Sequence, residues 1–214
     1  MGKHKEIAIL MADLTGYTAM TEVHGAESAM QIVGKYLELA QLSMAGTSRL
    51  LERVGDQLVI IAENPDDLAN TALNLVDKCT REPEFLMIHA GLHFGEVLEN
   101  NGSFFGSAMN ITARIAAHAG RGKILCSKDF INNIASPGNY CFESPREITL
   151  KNIMQPIMVA ELVSPNPALS EWMHIDPVCH MQVQSNTPHR YALDQKIFHF
   201  CSDQCREIFI RNSY

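Results

Sequence analysis

No run of apolar residues in this chain approaches the roughly 20 needed to cross a bilayer as a helix, and the opening MGKHKEIAIL is too short for a signal peptide. A cytoplasmic protein without membrane association is the expectation. Basic charge is scarce as well: 17 Lys and Arg stand against 24 Asp and Glu, a formal net charge of -7. Nucleic-acid binders usually carry a basic stripe to meet phosphate, so this balance argues for small molecules or proteins as partners and against nucleic acid. Internal repeats and low-complexity tracts are missing too. What is left is a globular protein of 214 residues, 46% of them hydrophobic, enough for one ordinary domain and a small second one. Its six cysteines are poor candidates for disulfides in a cytosolic setting. Three of them, Cys179, Cys201 and Cys205, crowd towards the C-terminus, which points to a metal.

The hydrophobic patterning is α+β. Residues 7–12 read as a buried strand, residues 27–42 as a helix with Met30, Val33, Leu37 and Ala40 on one face. Residues 49–54 and 57–62 read as two short strands joined by the hairpin signal Gly55-Asp56. Asn64-Pro65-Asp66-Asp67 carries the capping chemistry of a helix start, and a strand follows over residues 85–97. This order, βαββαβ, is the ferredoxin-like arrangement. An extra helix at 107–119, a strand at 123–127 and a terminal hairpin over 140–163 complete a domain spanning residues 1–163. The Pro- and Ser-rich stretch within residues 164–175 reads as a linker, and residues 176–214 as a unit too small to hold a large core without a metal staple.

In the ferredoxin-like order, Asp13 at the end of the first strand and Asp56 at the hairpin turn can approach each other. Two carboxylates there would repel, and a divalent cation with hard oxygen ligands resolves the conflict. The adjoining Thr15-Gly16-Tyr17-Thr18 loop offers backbone N–H groups to phosphate. The plainer alternative makes Asp13 a helix cap and Asp56 a turn residue.

Five motifs in order carry a resemblance over about 160 residues. MADLTGYTAMTE resembles the FADxxGFTxxxE opening of class III nucleotidyl cyclase domains, and ERVGDQLV resembles their second metal motif. GLHFGEV at 91–97, FFGSAMNITARI at 104–115 and LKNIMQPIMVAELV at 150–163 resemble their GIHxGEV strand, their G-x-x-V-N-x-A-x-R helix and their closing hairpin. The resemblance implies conversion of a nucleoside triphosphate to a 3′,5′-cyclic nucleotide and pyrophosphate. Asp13, Asp56 and the backbone carbonyl of Leu14 would hold two Mg²⁺ or Mn²⁺ ions per site, and the residue 15–18 loop would cradle the triphosphate. Asn110 would orient the ribose and Arg114 would offset developing charge, with Lys151 a further triphosphate contact. The bland alternatives are a solvated salt-bridge arginine and a surface lysine. In the family the aspartates and the Asn/Arg pair come from different protomers, so a homodimer is implied. Glu52 and Ser103 stand at the base-contacting positions. An ionised Glu52 accepts from guanine N1–H and N2–H₂, a lean towards GTP, although it could equally accept from the adenine 6-amino group. The departure from the usual base-contacting pairs leaves an alternative, an inactive pseudo-cyclase that binds nucleotide or metal.

DPVCHMQV at 176–183 and FHFCSDQC at 198–205 give Cys-x21-Cys-x3-Cys, soft ligands suited to Zn²⁺ or copper. The segment resembles the YHS domain, a relative of heavy-metal-binding modules, and departs from it at His180, where the family usually has glycine. His180 and His199 are candidates for a fourth ligand. His24, His89, His93 and His118 read as packing or surface residues.

Overall fold

The computed structural model describes residues 2–164 and 173–213. Its sheet begins with β1 (Lys3–Leu14), from which the chain passes into α1 (Tyr17–Gln41), the hairpin β2 (Arg49–Val54) and β3 (Gln57–Ala62), and α2 (Pro65–Arg81). Then come β4 (Ile88–Asn100), β5 (Ser103–Phe105), α3 (Ser107–His118), β6 (Ile124–Ser127), the short α4 (Lys128–Asn132), β7 (Cys141–Ile148) and β8 (Ile157–Val163). The strand order is β2-β3-β1-β4-β6-β8-β7, with β5 on β4. Its first four members are the antiparallel ferredoxin-like sheet expected from βαββαβ. Among the described residues only the β4–β6 pair is parallel.

Alternation along β1 builds both faces. Ala8, Leu10, Ala12 and Leu14 are buried in the large core under α1 and α2, whereas Ile7, Ile9 and Met11 join Ala108 and Ala116 of α3 on the other side. α3 lies so close to β4 that a Cβ at Gly91 would stand 2.3 Å from Ala116 N, so only glycine fits there. α2 starts where the capping residues predict: the Asn64 side chain accepts from Asp66 N–H, Pro65 enters the first turn, and Lys78 and Arg81 sit in the last. The first helix, in contrast, begins at Tyr17 and not near residue 27. It is broken at Gly25, whose φ of 81° splits the apolar periodicity into two registers. The short β5 and α4 are additional to the sequence reading.

Most of the expected linker, residues 165–172, lies outside the described residues. Beyond it come β9 (Met173–Ile175), β10 (Gln182–Gln184), the hairpin β11 (Arg190–Leu193) and β12 (Lys196–His199), and α5 (Asp203–Asn212). This unit shares a core with the first: Cys179, Phe200 and Cys205 are buried in the same cluster as Tyr36, Leu75 and Phe85. The fully buried Gln182 donates through Nε2 to the Cys79 carbonyl, and its backbone N–H donates to the Phe85 carbonyl. No helix among the described residues is long and apolar enough to cross a membrane.

Candidate functional site

The β1–β3 pairing brings the end of β1 beside the β2–β3 turn, where Asp13 and Asp56 meet. The Asp56 carboxyl is pushed up to about 7, chiefly by burial, then by a hydrogen bond and charge repulsion from Asp13, while the Leu14 N–H lowers it. Two half-buried carboxyls brought this close are a pair that a divalent cation satisfies. The donor set is all oxygen, as Mg²⁺ or Mn²⁺ requires.

His89, opposite Asp13 in the β1–β4 register, belongs to this site although the sequence reading set it aside as packing. Its Nε2 lies 3.9 Å from Asp13 Oδ2 and its Nδ1 3.1 Å from Thr15 Oγ1. Burial lowers its pKa, which favours an uncharged ring that can hold Thr15 without opposing a cation. The antiparallel register was the signal available for it.

Within the 15–18 loop, the Leu14 N–H faces Asp13 Oδ1 and the Thr15 N–H donates to the Met87 carbonyl. Gly16, with φ 92°, turns the chain into α1, whose N-terminus has no side-chain cap and no acidic residue in its first turn. The first-turn N–H groups, including Tyr17 and Thr18, lack intrahelical acceptors and so suit an anion. A Cβ at Gly16 would stand 2.4 Å from His180 Cβ, so the C-terminal unit touches this loop.

α3 buries Ala108, Thr112, Ile115 and Ala116 against the sheet, which turns Asn110 and Arg114 outward, both exposed, on one face. Among the described residues neither side chain has a hydrogen-bond partner. Glu52 is exposed on β2 beside a register shift, Ser103 exposed on β5, and Lys151 exposed between β7 and β8. A single copy therefore gathers Asp13, Asp56, Leu14 and the loop, and leaves the Asn110/Arg114 pair facing out.

A second cluster joins Cys179, Cys201 and Cys205 with His24, whose ligand atoms all lie within 4.8 Å of one another. The two histidines named from sequence as candidates for the fourth ligand make other contacts. His180 accepts from the Arg121 guanidinium at 2.9 Å, and His199 stacks on His174 with ring centres 3.8 Å apart. His24 was unreadable because it comes from α1, some 155 residues before Cys179. Among the three thiols, hydrogen bonds with Cys179 and Cys201 draw Cys205 down to about 5, and hydrogen bonds with Cys201 and Cys205 push Cys179 up. The other buried cysteines, Cys79 and Cys126, are pushed up by burial and serve packing.

Asp176, fully buried, organises the cluster: Oδ1 accepts from Val178 N–H at 2.8 Å and Cys179 N–H at 3.3 Å, and Oδ2 from Cys201 N–H at 2.8 Å. Asp176→Ala would leave three donors without an acceptor, and is expected to cost about 3 kcal/mol of stability. Scanning calorimetry of the variant beside wild type checks this, and an unchanged melting temperature would refute it.

The YHS domain family matches residues 174–213. An uncharacterized protein of Mycobacterium tuberculosis is 28% identical over 170 residues, covering 75% of this chain and 44% of that protein. A pH-sensitive adenylate cyclase of the same organism is 28% identical over 121 residues, covering 56% and 30%. The chain spans under half the length of these curated relatives. Among solved structures, the adenylyl cyclase CyaB from P. aeruginosa superposes with a TM-score of 0.64 at 15% identity, over 79% of this chain and 100% of that one. The guanylyl cyclase Cya2 superposes with a TM-score of 0.65 at 18% identity, over 79% and 95%.

Proposed function

We propose that this chain, which combines the nucleotidyl cyclase fold with a YHS domain, converts a nucleoside triphosphate to a 3′,5′-cyclic nucleotide and pyrophosphate for signalling. The observation that carries the reading is the Asp13–Asp56 carboxyl pair beside an uncapped helix N-terminus. Residues 1–163 form the catalytic domain, and residues 164–175 connect it to a metal-binding domain at 176–214.

Asp13, Asp56 and the Leu14 carbonyl would hold two Mg²⁺ or Mn²⁺ ions, which when bound acidify the ribose 3′-hydroxyl and offset phosphate charge. The Tyr17 and Thr18 N–H groups bind the triphosphate, with Thr15 oriented by His89 and Lys151 adding charge. Asn110 and Arg114 complete the site from a second copy: Asn110 positions the ribose, and Arg114 stabilises charge on the transferring phosphoryl group. The outward aim of α3, together with exposed Val54 and Phe105 near the two half-sites, supports a homodimer with shared sites. Glu52 accepts from the base and leans the site towards GTP over ATP, with Ser103 at the second base-contacting position favouring neither.

The test is direct. Purified chain with Mn²⁺ and either GTP or ATP should release cyclic nucleotide and pyrophosphate. Nucleotide binding by a dimeric protein with no cyclic product would instead favour the inactive pseudo-cyclase.

The Asp56 proton gives a pH signature. Because its carboxyl is raised to about 7, the proton it holds below that pH must leave before a cation binds. Mn²⁺ affinity measured calorimetrically should therefore be about tenfold weaker at pH 6 than at pH 8. A flat profile would show that no proton has to leave Asp56 for the cation to bind between pH 6 and pH 8.

A further inference from the structure

The second cluster has the spacing of a metal centre built from both parts of the chain. Cys201 Sγ lies 3.5 Å from Cys179 Sγ, 3.6 Å from Cys205 Sγ and 3.4 Å from His24 Nε2, and Cys205 Sγ lies 3.6 Å from the same nitrogen. A tetrahedral zinc ion, with bonds of about 2.3 Å to sulfur and about 2.0 Å to nitrogen, separates two sulfurs by about 3.8 Å and sulfur from nitrogen by about 3.5 Å. The observed spacings agree to within a few tenths of an ångström.

The surroundings also fit. Asp176 fixes the Cys179 and Cys201 backbones, and Ser202 Oγ accepts from the Cys205 N–H, so the ligands are held from behind. A cleft of about 430 Å³, lined by His24, Ile32, Phe85, Met181 and Cys201 among others, reaches two of the four ligands and gives an ion a way in. Three cysteines and one histidine are a recurrent structural zinc set.

We infer that His24 is the fourth ligand of a zinc centre shared between the two domains, so that the metal ties the C-terminal domain to α1. The inference rests on reading the three cysteines as a metal centre. Its consequence reaches the triphosphate loop by two routes. Along α1, His24 lies eight residues, about 12 Å of helix, beyond the cap at Gly16. On the other side, the residue after Cys179 is His180, which packs on Gly16. Zinc occupancy then sets whether His180 is held on the loop.

The test uses the full chain, stripped with chelator and titrated with Zn²⁺ against a chromophoric competitor, and separately with Co²⁺. Wild type should bind one zinc per chain. His24→Gln should bind about a hundredfold more weakly with altered Co²⁺ bands, and His24→Cys, which supplies a thiolate, should restore tight binding. Zinc should slow hydrogen exchange over residues 17–24 in wild type and not in His24→Gln. Wild-type zinc affinity and an unchanged Co²⁺ spectrum in His24→Gln would overturn the inference and leave a three-cysteine site standing. Equal zinc binding by a Cys201→Ser/Cys205→Ser variant would remove the centre altogether. Neither outcome bears on nucleotide turnover, so the cyclase reading stands or falls separately.

Discussion

Replacing Asp56 by alanine should lower cyclic nucleotide formation by on the order of 10³-fold, and Asp13→Ala should do the same. The reason is electrostatic: each carboxylate would contribute to holding both cations, and the remaining one cannot offset their charge alone. The fold should survive, because both side chains are partly exposed and sit where β1 and the β2–β3 turn end, outside the cores. Burial is the main cause of the raised Asp56 pKa, but Asp13→Ala also removes the repulsion that adds to it, so that protein should be at least as stable as wild type at pH 8 without metal. The sign follows from linkage: a carboxyl with a raised folded-state pKa loses stability as pH climbs from its unfolded value near 4 through about 7. Steady-state turnover together with thermal melts checks both statements. An inactive variant that is also unfolded would not meet the expectation, and an active Asp56→Ala enzyme would end the metal-site reading.

The second large effect lies in the C-terminal domain. Cys201→Ser combined with Cys205→Ser should reduce bound metal from one equivalent to near none, measured by elemental analysis of the purified protein. Its α5 carries few buried residues, Cys205 being the buried one, and its two strand pairs are short. A small unit of this kind draws much of its order from its ligands. Hydrogen exchange over residues 190–212 should therefore rise at least tenfold in the double variant. Full metal content in that protein would mean that the cluster binds nothing.

How far the sequence anticipated this structure depends on the range of the interactions. The apolar run of β1, the Gly55-Asp56 turn and the Asn64-Pro65 cap are local chemistry, and the elements they predict are in place. The meeting of Asp13 with Asp56 followed from topology, since β1 and β3 are neighbours in a ferredoxin-like sheet. α1 was misjudged because Gly25 breaks its helical period, hiding the first turns that begin at the phosphate loop. His89 needed the β1–β4 register. His24 needed the docking of the C-terminal domain onto α1, a contact formed by residues far apart in sequence. Nothing periodic records it. The same docking explains why His180, considered from its place in the motif as a ligand, is instead directed to Arg121 and Gly16.

The claim on which the rest depends is that each active site is completed by a second copy of the chain. The measurement that tests it mixes two inactive proteins, Asp13→Ala and Arg114→Ala, under conditions that allow dimers to exchange. Random pairing makes half of the dimers mixed, each with one intact site, so turnover should recover to about a quarter of wild type. No recovery from a mixture in which exchange has been verified would contradict the shared site.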